Sequence, residues 1–178
     1  MSVISSDVCI VTFNRISTDA RNFNFIRTFL DFGFSVTTIS LNEDDSVLPF
    51  PEKDFFPIFI DVPSIGRAFP RWLEFLKQGT KVASNINARY VLASDVYSLP
   101  IAKKIQRRCK AKLIYDSREI YSALASLEFN RSKQILLTTF ERYFARTVDN
   151  IIVTGELDLE ILKERFPNKR ISIIKNLP

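Results

Sequence analysis

Short β-rich runs alternate with stretches of helical spacing from one end of this 178-residue chain to the other. That alternation constrains the fold more than any other feature. The runs fall at 8–13, 34–41, 58–62, 90–93, 113–115, 150–154 and 171–174. Those such as Val8-Cys9-Ile10-Val11 are continuously apolar, as expected of strands buried on both faces. Helical segments are predicted between them at 18–32, 68–86, 99–109, 131–147 and 156–166. The first carries Phe25, Phe29 and Phe32 with Ile26 and Leu30 on one broad face, and Gly33 is a natural stop. Residues 42–57 are acidic and proline-interrupted and read as a loop. The expectation is α/β: a Rossmann-like, doubly wound parallel sheet of about seven strands with helices on both faces.

Composition removes whole classes of chemistry. The chain has no histidine, which excludes Ser-His-Asp and Cys-His nucleophile systems and histidine-based zinc sites. Proton transfer must then use a carboxylate, Lys or Tyr, or a group supplied by substrate or another domain. Cys9 and Cys109 lie far apart, and Cys9 sits in an apolar run, so it reads as a reduced core thiol and no disulfide framework is expected. No apolar run approaches the about 20 residues of a membrane span, and residues 1–7 lack the features of a secretion signal. The expected location is cytoplasmic, with peripheral contact to the inner face of the membrane left open. The net charge of +5 is mild, and no nucleic-acid motif accompanies it, so no nucleic-acid partner is expected.

In an open α/β sheet, ligands bind beyond the carboxyl ends of the strands. That rule selects Asn14, Arg15, Ser17, Thr18, Asp19 and Arg21 after the first strand and Asp95 after the fourth. It selects Asp116, Ser117, Arg118, Glu119 and Tyr121 after the fifth, and Thr154 after the sixth. The first loop lacks Gly-x-Gly-x-x-Gly and the chain lacks a Walker loop, so a dinucleotide or P-loop phosphate site is not expected. Ser17 or Thr18 can cap the following helix, with Asp19 near its positive end. Arg21 either reaches the rim as an anion or hydroxyl contact or pairs with Asp19. The 116–119 cluster either holds a sugar hydroxyl or is an Arg118 ion pair with Asp116 as a helix cap.

Three stretches, in order, resemble family-4 glycosyltransferases of the GT-B type. Ser17-Thr18-Asp19-Ala20-Arg21 and Phe32-Gly33-Phe34-Ser35-Val36-Thr37 resemble the family's opening Asp-x-Arg helix and Gly-x-x-Val-x-Val turn. Tyr115-Asp116-Ser117-Arg118-Glu119 resembles its Tyr-Asp-x-His-Glu segment. Asp149-Asn150-Ile151-Ile152 and Ile173-Ile174-Lys175-Asn176 resemble the closing strands that lead to a second domain.

The resemblance implies that residues 1–174 form the N-terminal, acceptor-side domain and that 175–178 begin an interdomain linker. It implies a C-terminal domain, absent here, that binds a nucleotide-sugar donor, with no metal, no other cofactor and a retaining outcome. The implied activity is sugar transfer from that donor to a glycan, lipid or other hydroxyl acceptor, in which this half alone should be inactive. Arg118, Glu119 and Asp116 are the implied catalytic residues. Arg118 stands where the family commonly has histidine; an arginine stays protonated and cannot be a general base, but it can stabilise departing phosphate charge.

Residues 67–78 place Phe69, Trp72, Leu73 and Leu76 on one helical face beside Arg67, Arg71 and Lys77. Residues 103–110 are basic. This is either a lipid-surface contact or a helix packed on the sheet with a solvated basic face. The alternative to the transferase is a stand-alone, non-enzymatic α/β module that binds a ligand or protein.

Overall fold

A computed structural model describes residues 3–43, 47–63, 68–120 and 131–175. Tyr121, Arg67 and Asn176 to Pro178 lie outside them. Seven strands are present: β1 (Ile4–Val11), β2 (Val36–Leu41), β3 (Phe55–Ile60), β4 (Ile86–Ala93), β5 (Lys112–Ser117), β6 (Asn150–Val153) and β7 (Arg170–Ile173). The helices are α1 (Ala20–Asp31), α2 (Ala68–Ala83), α3 (Leu99–Cys109), α4 (Arg131–Ala145) and α5 (Glu156–Arg165).

All seven strands form one sheet in the order β3-β2-β1-β4-β5-β6-β7, and every pairing is parallel. Strand order reverses at β1, as in a doubly wound sheet. Alternate strand residues feed two cores. Cys9, Val11, Val91, Ala93, Leu113 and Tyr115 join Phe75, Ile101, Ala145 and Leu162 from α2, α3, α4 and α5. Val8, Ile10, Leu92 and Ile152 join Ile26 of α1. Helices therefore cover both faces unequally: among the described residues α1 alone packs on one side.

Register sets the working edge. Val11 pairs with Ala93 and Ala93 with Tyr115, while Ser117 pairs with Val153 and Val153 with Ile173. The carboxyl ends of β1, β4, β5, β6 and β7 thus lie along one rim.

Several boundaries differ from the pattern-based expectation. β1 begins at Ile4 rather than residue 8, because polar Asp7 is accommodated at the edge by Ser35 and Arg89. The predicted loop 42–57 ends in β3, which starts at Phe55. α1 stops at Asp31 and leaves Phe32 exposed. The amides of Gly33 and Phe34 bond back to Leu30 and Phe29 carbonyls at 2.9 and 3.0 Å, with Gly33 at φ 78°. This is a Schellman stop, closed by contact between the Phe29 and Phe34 rings.

The predicted face of α2 splits. Phe75, Gly79 and Ala83 are the buried residues. Trp72 turns in, donates to the Tyr97 carbonyl and packs on Phe140, while Phe69 and Leu73 stay exposed. The basic face of α3 is also discontinuous: Lys103 is buried, 4.6 Å from the Tyr143 ring centroid. Cys9 and Cys109 are both free, and burial pushes the Cys9 thiol pKa up.

Candidate functional site

A cavity of about 410 Å³ opens at the rim between α1, the end of β5 and the residues after β7. Its floor is a four-residue charge network. Asp116, fully buried near the end of β5, receives Arg21 of α1 side-on, Nε to Oδ2 at 2.8 Å and Nη2 to Oδ1 at 2.7 Å. Arg118 bridges onward: its Nε donates to Asp116 Oδ2 at 3.2 Å and its Nη1 to Asp19 Oδ2 at 2.7 Å. The third nitrogen of Arg118, Nη2, is buried without a hydrogen-bond partner among the described residues. Arg21 also donates Nη1 to the Ile174 carbonyl at 2.9 Å, which ties α1 to the end of β7.

Asp19 has two tasks. It is the N-cap of α1, accepting from the Asn22 amide at 3.0 Å, and it is the second carboxylate of the network. The cap is therefore Asp19 rather than Ser17 or Thr18. Asn22 braces it by donating Nδ2 to Asp19 Oδ2 and accepting from Ser94 at 2.7 Å. Asp95 lies beneath, accepting from the amides of Phe13 and Ser98 at 2.9 and 2.7 Å, and so joins the β1 tip to the start of α3. Burial pushes the Asp95 pKa up against those bonds and against Arg118. For Arg118, burial alone would favour loss of the proton, but Asp19 and then Asp116 and Asp95 outweigh it and raise the pKa. Arg118 is a fixed cation.

Sequence reasoning and geometry meet at Asn14, Asp19, Arg21 and Arg118, which line the cavity, and at Asp116, which anchors it. Arg21 pairs with Asp116 instead of Asp19, and Asp116 is a strand residue instead of a helix cap. Ser117 is buried, its hydroxyl donating to the Glu119 carbonyl at 3.4 Å, and Glu119 is exposed outside the cavity lining. Thr154 serves the first turn of α5, donating to Asp158 at 2.8 Å. Ser17 is exposed and Arg15 lines a separate cavity. Tyr121 lies outside the described residues.

Thr18, also selected by the strand-end rule, lines the cavity, and Asn24, Phe25 and Lys175 are added to it. Asn24 and Phe25 follow Arg21 at the three- and four-residue spacings that share a helix face, a signal present in the sequence. Glu43 had no such signal. Its carboxylate accepts from the amides of Ile16 and Ser17, the latter at 3.0 Å, and pins the first loop. Those amides, which in a glycine-rich loop would face a phosphate, are thereby occupied.

Comparison with solved structures decides the fold. The chain superposes on Arabidopsis thaliana UGT89C1 complexed with UDP-L-rhamnose with a TM-score of 0.70 at 14% identity, covering 99% of this chain and 53% of that one. For sucrose-phosphate synthase from Thermosynechococcus elongatus the values are 0.68, 11%, 95% and 47%. For Anabaena Alr3699/HepE in complex with UDP and glucose they are 0.60, 9%, 96% and 44%. The fold is that of a GT-B glycosyltransferase domain. The chain spans about half the length of the structures it matches. No family model matches the sequence, and no curated protein matches it.

Proposed function

We propose that this chain is the acceptor-side half of a glycosyltransferase that moves a sugar from a nucleotide-sugar donor to a hydroxyl acceptor. The observation that carries the reading is Arg118 in the lining of the cavity on the sheet rim, its buried Nη2 without a hydrogen-bond partner among the described residues. Around it, Arg21 and Arg118 are held rigidly by two carboxylates, the kind of preorganised donor array that stabilises developing oxyanion charge. In this reading Arg118 faces the leaving phosphate or the transferred sugar, and Asn14, Asn24 and Phe25 hold the acceptor.

Asp116 is held by Arg21 and Arg118, and Asp19 by Asn22 and Arg118, so both carboxylates serve to fix the arginines. The companion of this half is the C-terminal donor-binding domain, joined through residues 175–178.

The test is transfer by the full-length protein against a panel of nucleotide sugars, with Arg118→Ala and Asp116→Asn compared. Both variants should lose at least about a hundredfold in kcat/KM, the scale of removing a preorganised donor. Full activity in both variants would remove the assignment.

A peripheral membrane contact is a second reading, favoured by the exposed Phe69 and Leu73 beside Lys77 on α2. Anionic vesicles at low salt should retain the protein and release the Phe69→Ser/Leu73→Ser variant. Absence of retention would remove this contact.

A further inference from the structure

A hydrogen-bond chain leads into the charge network from the end of β4. Ser94, the residue after that strand, donates its hydroxyl to Asn22 Oδ1 at 2.7 Å. Asn22 Nδ2 donates to Asp19 Oδ2 at 2.9 Å, and the same oxygen receives Arg118 Nη1 at 2.7 Å. Ser94 and Asn22 are fully buried and lie outside the cavity lining. We propose that Asn22, oriented by Ser94, is a positioning residue for the transfer reaction: it fixes the Asp19 carboxylate and thereby the direction in which Arg118 presents Nη2. The inference rests on the transfer reading and deepens it.

Helix capping alone does not account for the pair. An N-cap needs one acceptor, and Asp19 Oδ1 supplies it to the Asn22 amide at 3.0 Å. The bond from Asn22 Nδ2 goes to the other oxygen, the one that Arg118 uses. Asn22 thus grips both oxygens and stops the carboxylate from turning about its Cβ–Cγ bond. Burying an amide and a hydroxyl is unfavourable unless both are hydrogen-bonded, a requirement that apolar side chains in the same space would not carry. Ser94 also fixes the orientation of the amide: with its hydroxyl on Oδ1, Nδ2 faces Asp19.

Arg118 depends on a fixed Asp19 because its other contact is longer. Nε reaches Asp116 Oδ2 at 3.2 Å, against 2.7 Å for Nη1 to Asp19. Asp116 belongs to β5, whereas Asp19 ends the loop between β1 and α1, so the loop carboxylate is the one whose placement needs support. The two contacts together set the plane of the rigid guanidinium, and Nη2 lies in that plane. A donor stabilises developing charge best when its direction is set before the reaction.

Transfer by the full-length protein tests the role, with kcat and KM measured separately beside urea midpoints. Asn22→Ala should lower kcat about a hundredfold, the effect of a small misplacement near the reacting atoms, with KM changed far less. In the Arg118→Ala background the same substitution should change kcat by less than about threefold, because the group it positions is gone. Asn22→Asp gives a readout that lost stability would not. Its introduced carboxyl faces Asp19, and only with a proton between them can it donate as the amide does. The kcat of that variant should rise as pH falls, a limb absent from the wild type and from Asn22→Ala.

Wild-type kcat in Asn22→Ala beside an impaired Arg118→Ala overturns the proposal, as do losses that multiply in full in the double variant. Should Asn22→Ala not fold, a flat acid limb in Asn22→Asp overturns it, and should neither fold, wild-type kcat in Ser94→Ala does. Full activity in Arg118→Ala instead removes the transfer reading, and this role with it.

Discussion

Arg21 and Asp116 meet side-on through two hydrogen bonds of 2.8 and 2.7 Å, although 95 residues separate them in the chain. One sits in the first turn of α1 and the other near the end of β5, and both side chains are almost wholly buried. The contact joins the helix that, among the described residues, alone covers one face of the sheet to the strand that immediately precedes Arg118. Folding and site assembly are therefore coupled at this point.

Arg21→Ala should destabilise the protein by about 3 kcal/mol, because it leaves the buried Asp116 carboxylate with only the longer Arg118 contact. Arg21→Lys should lose a smaller share, since an ammonium restores charge without the two-point geometry. Urea denaturation of the three proteins measures both.

Asp19 and Arg118 should be energetically coupled. In a cycle of Asp19→Ala, Arg118→Ala and the double variant, the interaction is expected at about 1–3 kcal/mol. Asp19→Ala should also carry about 1 kcal/mol for the lost α1 cap, a part that persists in the Arg118→Ala background.

Much of the fold was legible because it is written in local periodicity: the order of all seven strands and five helices follows the apolar runs. What local pattern hides is a polar residue satisfied from far away. β5 continues through Asp116 and Ser117, two residues past its last apolar position, because Arg21 neutralises Asp116. β4 starts at Ile86 rather than residue 90, its exposed Asn87 and Arg89 masking the run. At the site, the strand-end rule found Asp19, Arg21, Asp116 and Arg118. The ion pair of Arg118 with a neighbouring carboxylate was one of the two readings offered, but the pairings of Arg21 with Asp116 and of Arg118 with Asp19 were not. The rule also drew in Thr154 and Ser17, whose hydrogen bonds to Asp158 and Glu43 serve local structure.

Acid should expose the contact between Asp7 and Ser35. The Ser35 amide, then its hydroxyl, holds the Asp7 carboxyl below the ordinary 3.8; slight burial opposes this and Arg89 assists. A depressed folded-state pKa contributes stability above the unfolded value, and that contribution is lost as pH falls from 3.8 through the folded value. Ser35→Ala should thus be destabilised by about 1 kcal/mol at neutral pH, and the difference should shrink through that acid window in denaturation series at several pH values.

Two helix ends call for opposite substitutions. Gly33 closes α1 at φ 78°, so Gly33→Ala should be destabilising by about 1 kcal/mol. Lys110 closes α3 at φ 55° with an ordinary side chain, so Lys110→Gly should stabilise by about the same amount. Thermal unfolding of both variants reads the two signs directly.

The floor of the larger cavity carries two guanidinium groups and two carboxylates, whose formal charges cancel. The contacts run as a chain, Arg21 to Asp116 to Arg118 to Asp19, with no net charge, so among the described lining residues the charge left over is that of Lys175. The two arginines therefore add little pull at range, so the capture rate of an anionic ligand should fall with ionic strength no more steeply than one such cation allows, and replacing Lys175 by Met should flatten that dependence while fit at contact persists.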